Sequence, residues 1–286
     1  MKAAPVQSRT ALVTGCSTGI GLAAARLLRE RGWMVWPTAR KADDLARLRA
    51  EGFDPIELDL LDPESIRLSA DEVIRRGGGR LGAIINNAGY GQPGAVEDLS
   101  GAVLRRQFEV NVFGLQDLTN RLLPVFRKQG CGRIVNVSSV LGRLTIPFMG
   151  AYCASKHALE SLSDALRIEL RGSGITVSII EPGPIETAFR KNAFEQGREH
   201  LDATRSHFGA LYDDQARRKV AGGFRSSDPF TAPPEVVAVR IVHAVESSRP
   251  RRRYPVTLPA HAGSFLARIM PHAVMDWLLS RRPGQF

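Results

Sequence analysis

Tyr152 and Lys156 stand four positions apart in the run Tyr152-Cys153-Ala154-Ser155-Lys156. On a helix, that spacing puts both side chains on one face. A free phenol titrates near ~10, too high for proton transfer at neutral pH. A neighbouring ammonium favours the phenolate and lowers that value, so the pair is suited to acid–base work on a substrate oxygen. The same spacing also occurs in ordinary surface packing. Ser139 lies 13 residues before Tyr152, after the apolar run Ile134-Val135-Asn136-Val137. Open parallel sheets bind ligands at the C-terminal ends of their strands. Ser139 is therefore a candidate to hold a substrate oxygen, with Ser138 as its competitor and a structural serine as the plain alternative. Asn111 falls in a helical pattern, where asparagine is mildly disfavoured. It is a candidate for a purposeful polar contact, or else a solvated side chain.

A second chemistry sits near the start of the chain. The strand candidate Thr10–Thr14 runs into Thr14-Gly15-Cys16-Ser17-Thr18-Gly19-Ile20-Gly21 and then into a helical pattern. Glycines there allow a sharp turn and close approach to a pyrophosphate, while the helix N-terminus offers free N–H groups and the positive end of its dipole. The spacing is TGxxxGxG rather than GxGxxG, and the Lys-Ser/Thr of an ATP phosphate loop is missing. An NAD site usually places an acid about 20 residues after the glycines, on the adenosine ribose. Here the stretch reads Pro37-Thr38-Ala39-Arg40-Lys41, with no acid before Asp43. Arg40 can clamp a 2′-phosphate that a carboxylate would repel, so NADP(H) is expected over NAD(H). The alternative is a solvated charge at a helix start. Asn86-Asn87-Ala88-Gly89 closes a further strand, where its amides either shape the sheet edge or meet the cofactor.

The elements that must position these groups alternate in type. Strand candidates at Thr10–Thr14, Met34–Thr38, Pro55–Leu58, Ala83–Asn86, Arg133–Val137 and Thr176–Ile180 are separated by helix-length amphipathic segments, such as Gly19–Arg31. That pattern marks repeated βαβ units and an α/β fold, with a parallel sheet covered on both faces. After Pro182-Gly183-Pro184 the chain turns polar and weakly periodic over residues 186–230, which suits a flap over a site. Pro233-Pro234-Glu235 opens a helix to about Glu246, and Tyr254–Leu258 is a possible further strand. Residues 262–282 carry apolar side chains at roughly helical spacing, broken by Pro271.

At 286 residues and 43% hydrophobic content the chain can bury a full core without disulfides. Its three cysteines, Cys16, Cys131 and Cys153, form no CxxC spacing, against a zinc site and in favour of a reducing compartment. Met1–Arg9 lacks the apolar stretch of a signal peptide, and no apolar run reaches the ~18 residues needed to span a bilayer, so a cytoplasmic location is expected. The sequon Asn136-Val137-Ser138 lies in a strand pattern and is read as coincidence. The net charge of +10 includes Arg249, Arg251, Arg252 and Arg253. That cluster lacks the interleaved aromatics of single-strand binders, so no nucleic-acid partner is expected.

Taken together, TGCSTGIG at 14–21, Asp59, NNAG at 86–89, Asn111, Ser139, YCASK at 152–156 and PGPIET at 182–187 resemble the short-chain dehydrogenase/reductases, closely from Thr10 to about Phe189. The resemblance implies a Rossmann-type doubly wound parallel sheet in a single domain. Residues 8–185 would be its cofactor-binding and catalytic core, 186–232 a substrate flap, and 233–286 C-terminal helices and tail. It implies hydride transfer between a nicotinamide and a substrate carbon. Tyr152 would be the acid/base, and Lys156 would lower its pKa and bond the nicotinamide ribose. Ser139 would position the carbonyl, and Asn111 would hold a water in a proton relay. The implied cofactor set is Gly15, Ser17, Thr18, Gly19, Ile20, Gly21, Arg40, Asp59, Leu60, Asn87, Ala88, Gly89, Tyr152, Lys156, Pro182, Gly183 and Thr187. Within it, Thr18 and Arg40 lie near the 2′-phosphate, Asp59 meets the adenine amino group, Asn87 lies along the adenosine, and Gly183 and Thr187 lie at the nicotinamide end. No metal is required.

The wording of these motifs is most similar to hydroxysteroid and retinol dehydrogenases, which implies a lipophilic alcohol or carbonyl substrate. Apolar Pro147, Phe148, Met149 and Phe189 are the candidate pocket, or else ordinary core and flap contacts. Homo-oligomerisation through the helices of Asn111 and Tyr152 is implied as well. The tail departs from compact members. It fits a cover for the substrate mouth, an oligomer contact, or a helix lying peripherally on a membrane, against the plain alternative of burial on the protein. A non-catalytic NADP(H)-binding sensor or scaffold is the competing reading, which an intact Asn111, Ser139, Tyr152 and Lys156 set weighs against. The TGxxxGIG spacing speaks against a sugar-nucleotide epimerase.

Overall fold

A computed structural model describes residues 3–222 and 229–280. The β-branched and apolar runs form strands β1 (Thr10–Val13), β2 (Met34–Ala39), β3 (Ile56–Glu57), β4 (Ala83–Asn86), β5 (Gly132–Val137), β6 (Ile175–Pro182) and β7 (Arg253–Val256). They build one sheet in the order β3-β2-β1-β4-β5-β6-β7, with every neighbouring pair parallel. The amphipathic segments between them are α1 (Gly19–Glu30), α2 (Ala42–Ala50), α3 (Pro63–Arg76), α4 (Gly101–Phe108), α5 (Gly114–Gln129) and α6 (Gly150–Glu169). Helices α7 (Phe189–His200), α8 (Gly209–Gly222), α9 (Glu235–Glu246), α10 (Leu258–Ile269) and α11 (His272–Ser280) follow β6.

Strands buried on both faces need apolar residues at every position. In β1, Ala11 and Val13 join Val35, Ile85 and Val135 under α1 and α9, whereas Leu12 joins Ile84 and Ile134 on the opposite face, against Leu118 and Leu122 of α5. Two cores thus flank one doubly wound sheet, as expected. The strand order reverses between β1 and β4, and at such a switch point the C-terminal strand ends leave a crevice. The glycine turn and Asn86–Gly89 meet there. Asn136 is buried in β5, where it accepts from Asn86 at 2.8 Å and donates to Ser163 at 2.8 Å. That commitment removes it from any glycosylation surface.

Several expectations shift. Within the polar stretch 186–230, weakly periodic in sequence, the described residues form two helices, α7 and α8. The last strand begins at Arg253 and ends at Val256, so Leu258 opens α10 instead of closing a strand. Strand β6 continues through Glu181 and Pro182, and β3 shrinks to two residues. Gly223 and the tail from Arg281 onward lie outside the described residues.

Candidate active site

The glycine turn is locked by side chains on both sides of the crevice. Gly15 and Gly19 have φ of 71° and 62°, in the left-handed region where a Cβ is strained. At Gly21 a Cβ would lie 2.4 Å from the Gly15 carbonyl oxygen and 2.5 Å from Asn87 Nδ2. Asn87 donates through Nδ2 to the carbonyls of Thr14 and Gly15, at 2.9 and 3.1 Å. Thr14 Oγ1 in turn accepts from the main-chain N–H groups of Asn87 and Ala88, both at 2.9 Å. Asn87 therefore shapes the sheet edge. Cys16 is buried beneath the turn, and burial pushes its thiol up to about 12, which leaves it inert. Thr18 makes no side-chain cap on α1, so the first-turn amides at Gly19, Ile20 and Gly21 stay available. A turn with no room for Cβ atoms beside uncapped amides fits a dinucleotide pyrophosphate. Thr187 packs over Gly19, its methyl 2.9 Å from where a Cβ would stand, and so joins this turn from beyond β6.

Arg40 follows β2 directly. Its guanidinium, half exposed, stands 3.8 Å from the Asp59 carboxylate. Asp59 also accepts from the Leu61 N–H at 3.0 Å, and the Leu60 carbonyl presses on Gly114 of α5. Arg47 on α2 donates to the Ser17 carbonyl and pairs with Asp44 at 2.8 Å. Arg40 and Arg47 thus place cationic charge at the adenosine end of the crevice.

Tyr152, Lys156, Ser139 and Asn111 are all buried. Ser139 lies two residues past β5 with its hydroxyl beside the Tyr152 phenol, and it accepts from the Leu141 N–H at 3.1 Å. Ser138 turns away, its Oγ against Gly142. Of the two serines, Ser139 is therefore the one at the phenol. Lys156 Nζ lies 5.8 Å from the Tyr152 ring centroid and donates to the Val137 carbonyl at 2.9 Å. Burial draws the ammonium down to about 8, against the opposing charge of Glu160 one turn further along α6. Burial also pushes the Tyr152 phenol well above its usual value, with the neighbouring Ser139 hydroxyl pulling the other way. The expectation that Lys156 lowers the phenol thus meets a larger opposing effect, desolvation.

Asn111 sits in a π-helical turn, Glu109–Phe113, between α4 and α5. Its Nδ2 donates to the Tyr90 carbonyl and to Ser155 Oγ, both at 3.0 Å, and its Oδ1 accepts from the Tyr90 N–H at 3.1 Å. Both amide donors are therefore committed to protein groups. Gly89 closes the arrangement: a Cβ there would stand 3.0 Å from Asn111 Oδ1 and 3.8 Å from Lys156 Nζ.

The expected pocket residues part company. Met149 and Phe189 pack with Tyr152, Leu141 and Ile146, and the Phe189 ring lies 5.3 Å from the Tyr152 ring. Phe148, with φ of 61°, instead meets Phe208 at 5.1 Å and Tyr212 at 6.4 Å. It lines a pocket of about 250 Å³ with Pro93, Phe194, Leu201 and Tyr212. Pro147 is exposed. Pro182 ends β6 and is buried, and a Cβ on Gly183 would stand 2.3 Å from Thr257 Oγ1 and 3.4 Å from the Ala260 N–H nitrogen. The start of α10 is thereby seated at the nicotinamide end.

Sequence reasoning missed Thr257, Arg47, Ser155 and Glu160. Ser155 and Glu160 were legible in principle, since they flank Lys156 at helical spacing. Thr257 and Arg47 reach the site only through long-range packing. Among the described residues, no helix is long and apolar enough to cross a membrane, and no group of three or more His, Cys, Asp or Glu side chains is arranged to hold a metal ion.

Residues 9–198 match the family model described as short chain dehydrogenase. The chain is 44% identical over 274 residues to the uncharacterized oxidoreductase YbbO of Escherichia coli, covering 96% of this chain and 95% of YbbO. It is 34% identical to human 17-beta-hydroxysteroid dehydrogenase type 1, covering 86% and 76% of the two chains. A crystal structure of a short-chain dehydrogenase from Streptomyces avermitilis superposes with a TM-score of 0.76 at 31% identity, over 96% of this chain and 98% of that one. A short-chain dehydrogenase/reductase from Burkholderia phymatum, in complex with NAD, gives 0.74 at 28% identity over 98% of each chain.

Proposed function

Because the chain belongs to the short-chain dehydrogenase/reductase family of oxidoreductases, we propose that it is an NADP(H)-dependent enzyme interconverting an alcohol and the matching ketone or aldehyde. The substrate is lipophilic, of steroid-, retinoid- or long-chain-like character. One observation carries this reading: a buried phenol, Tyr152, set beside the Ser139 hydroxyl and the buried Lys156 ammonium.

A bound nicotinamide cofactor supplies or takes the hydride. The rest is done by side chains. Ser139 holds the substrate oxygen beside the phenol, and Tyr152 gives that oxygen its proton, or takes it, at Oη. Lys156, drawn down to about 8 by burial, exchanges protons near neutral pH and recharges the phenol. Tyr90 and Ser155, held by Asn111, fix the wall behind this pair. Met149, Phe189 and Ile146 give that side of the site an apolar lining that excludes water, which supports a lipophilic substrate. Arg40 after β2, with no acid between that strand and Asp43, supports NADP(H) over NAD(H).

The test is fluorescence titration of the purified protein with NADPH and NADH, followed by a panel of lipophilic ketones and aldehydes. Tighter NADPH binding, with oxidation of NADPH by a panel member, is the expected result. Binding without turnover across a broad panel would favour a binding-only role, and binding of neither cofactor would overturn the reading.

A further inference from the structure

Among the described residues, the C-terminal helices carry an apolar surface that is largely exposed. On α10 only Ala260 and Gly263 are buried, with Gly263 seated on Val140 and Leu144. The opposite stripe runs Leu258, Ala262, Phe265, Ile269 at helical spacing, and Leu258, Phe265 and Ile269 are 66%, 62% and 60% exposed. None of the nine residues of α11 is buried, although Val274, Trp277 and Leu278 fall on one face of it. A helix this short is marginal in water on its own, and so large an apolar surface marks an interaction site.

Charge identifies the occupant. From Leu258 to the end of the sequence there are three arginines, Arg268, Arg281 and Arg282, against one acid, Asp276, so the segment that carries the apolar face is net basic. Arg268 sits beside Phe265 and Ile269, at spacings of three and one, and is exposed. Arg249, Arg251 and Arg252 are also exposed, and with Arg268 they enter no ion pair among the described residues. Exposed aromatic and aliphatic side chains beside the unpaired Arg268, on a segment with more cations than acids, match the boundary of an anionic bilayer. A protein partner covering the same area gains nothing from unpaired arginines unless it is itself acidic.

We propose that α10 and α11 lie on an anionic lipid surface, with Phe265, Ile269 and Trp277 entering the headgroup boundary and Arg268 meeting lipid phosphates. The proposal does not depend on the reaction the site performs.

Flotation of the full chain tests it, with vesicles of phosphatidylcholine alone and of equal parts phosphatidylcholine and phosphatidylglycerol. The expected result is flotation with the anionic vesicles, weakened by salt and reduced roughly tenfold or more in the triple variant Phe265→Ser, Ile269→Ser, Trp277→Ser. Arg268→Glu weakens binding to the anionic vesicles. Unchanged thermal melting of the variants separates lost binding from lost folding. No flotation with anionic vesicles, or equal flotation of the triple variant, overturns the proposal. So does concentration-dependent self-association that the triple variant loses while no vesicle binding is seen, since the face would then join copies of this chain.

Discussion

The Lys156 ammonium donates to the main-chain carbonyl of Val137, at 2.9 Å, and so ties α6 to the end of β5 two residues before Ser139. One buried bond thus sets the distance between the helix that carries the phenol and the strand that carries its hydroxyl partner. Lys156 is structural as well as chemical, and its cation is held at a cost in desolvation.

That cost has a pH signature. Burial draws Lys156 from the ordinary value of 10.5 down to about 8. Between those values the unfolded chain binds a proton that the native chain has released, so Lys156 makes stability rise with pH across that window. Below about pH 8 the full penalty stands, on the order of 3 kcal/mol. Lys156→Met is therefore expected to gain stability relative to wild type at pH 7 and to lose that gain toward pH 10.5. Urea denaturation at the two pH values measures it; a difference that does not change with pH would show that Lys156 is not the titrating group.

Tyr152→Phe removes the proton donor and leaves the ring in contact with Phe189. Turnover should fall by roughly 10²–10⁴-fold or more with NADPH affinity nearly unchanged. Single-turnover kinetics beside fluorescence titration separates the two, and near-normal turnover would remove Tyr152 from its role.

Arg40→Asp is expected to turn cofactor preference toward NAD(H). A charge-assisted contact to a 2′-phosphate contributes about 1.5–3 kcal/mol, or roughly 10- to 150-fold in the ratio of kcat/KM for NADPH to that for NADH. An unmoved ratio would transfer the selecting role to another cation, with Arg47 on the Ser17 carbonyl as the next to examine.

Gly21→Ala forces a methyl to within 2.4 Å of the Gly15 carbonyl oxygen and 2.5 Å of Asn87. Overpacking of this kind costs about 1–3 kcal/mol. Both the melting temperature and the affinity for either cofactor are expected to drop. A variant that melts as wild type does and binds normally would mean that the turn yields without loss.

Arg253→Met leaves Glu160, Asp164 and Glu181 without their shared cation. Breaking a buried ion cluster from one side costs about 3–5 kcal/mol, and equilibrium unfolding in urea should report a loss of that size.

The parts of this molecule visible in the amino-acid order are those made by near neighbours. Thr14–Gly21 is a contiguous turn, and Tyr152 and Lys156 share a face because helical geometry alone puts them there. Arg253 has no such local signature: its three carboxylates stand 93, 89 and 72 residues away along the chain. Helix α7 stayed hidden because its buried positions are the small Ala193 and Gly197, which leave no apolar stripe to read. Asn111 read as helical and lies in a wider π turn, a distinction that comes from its bonds to Tyr90 and Ser155 rather than from its neighbours in sequence. Phe148 and Met149 looked like one apolar patch, yet a left-handed backbone at Phe148 sends the two side chains to different places.

The interlock of Asn87 with Thr14 and Gly15 has a kinetic consequence. The half of the crevice that receives phosphate is held in shape by protein hydrogen bonds alone, so a nucleotide finds it ready-made and has little ordering to induce. The half that holds Tyr152 is partly covered, because the ring of Phe189, at the head of α7, packs against the phenol ring. On the proposed reaction, a preformed site beside a covered one predicts that nucleotide binds first and leaves last, an order that product-inhibition kinetics checks.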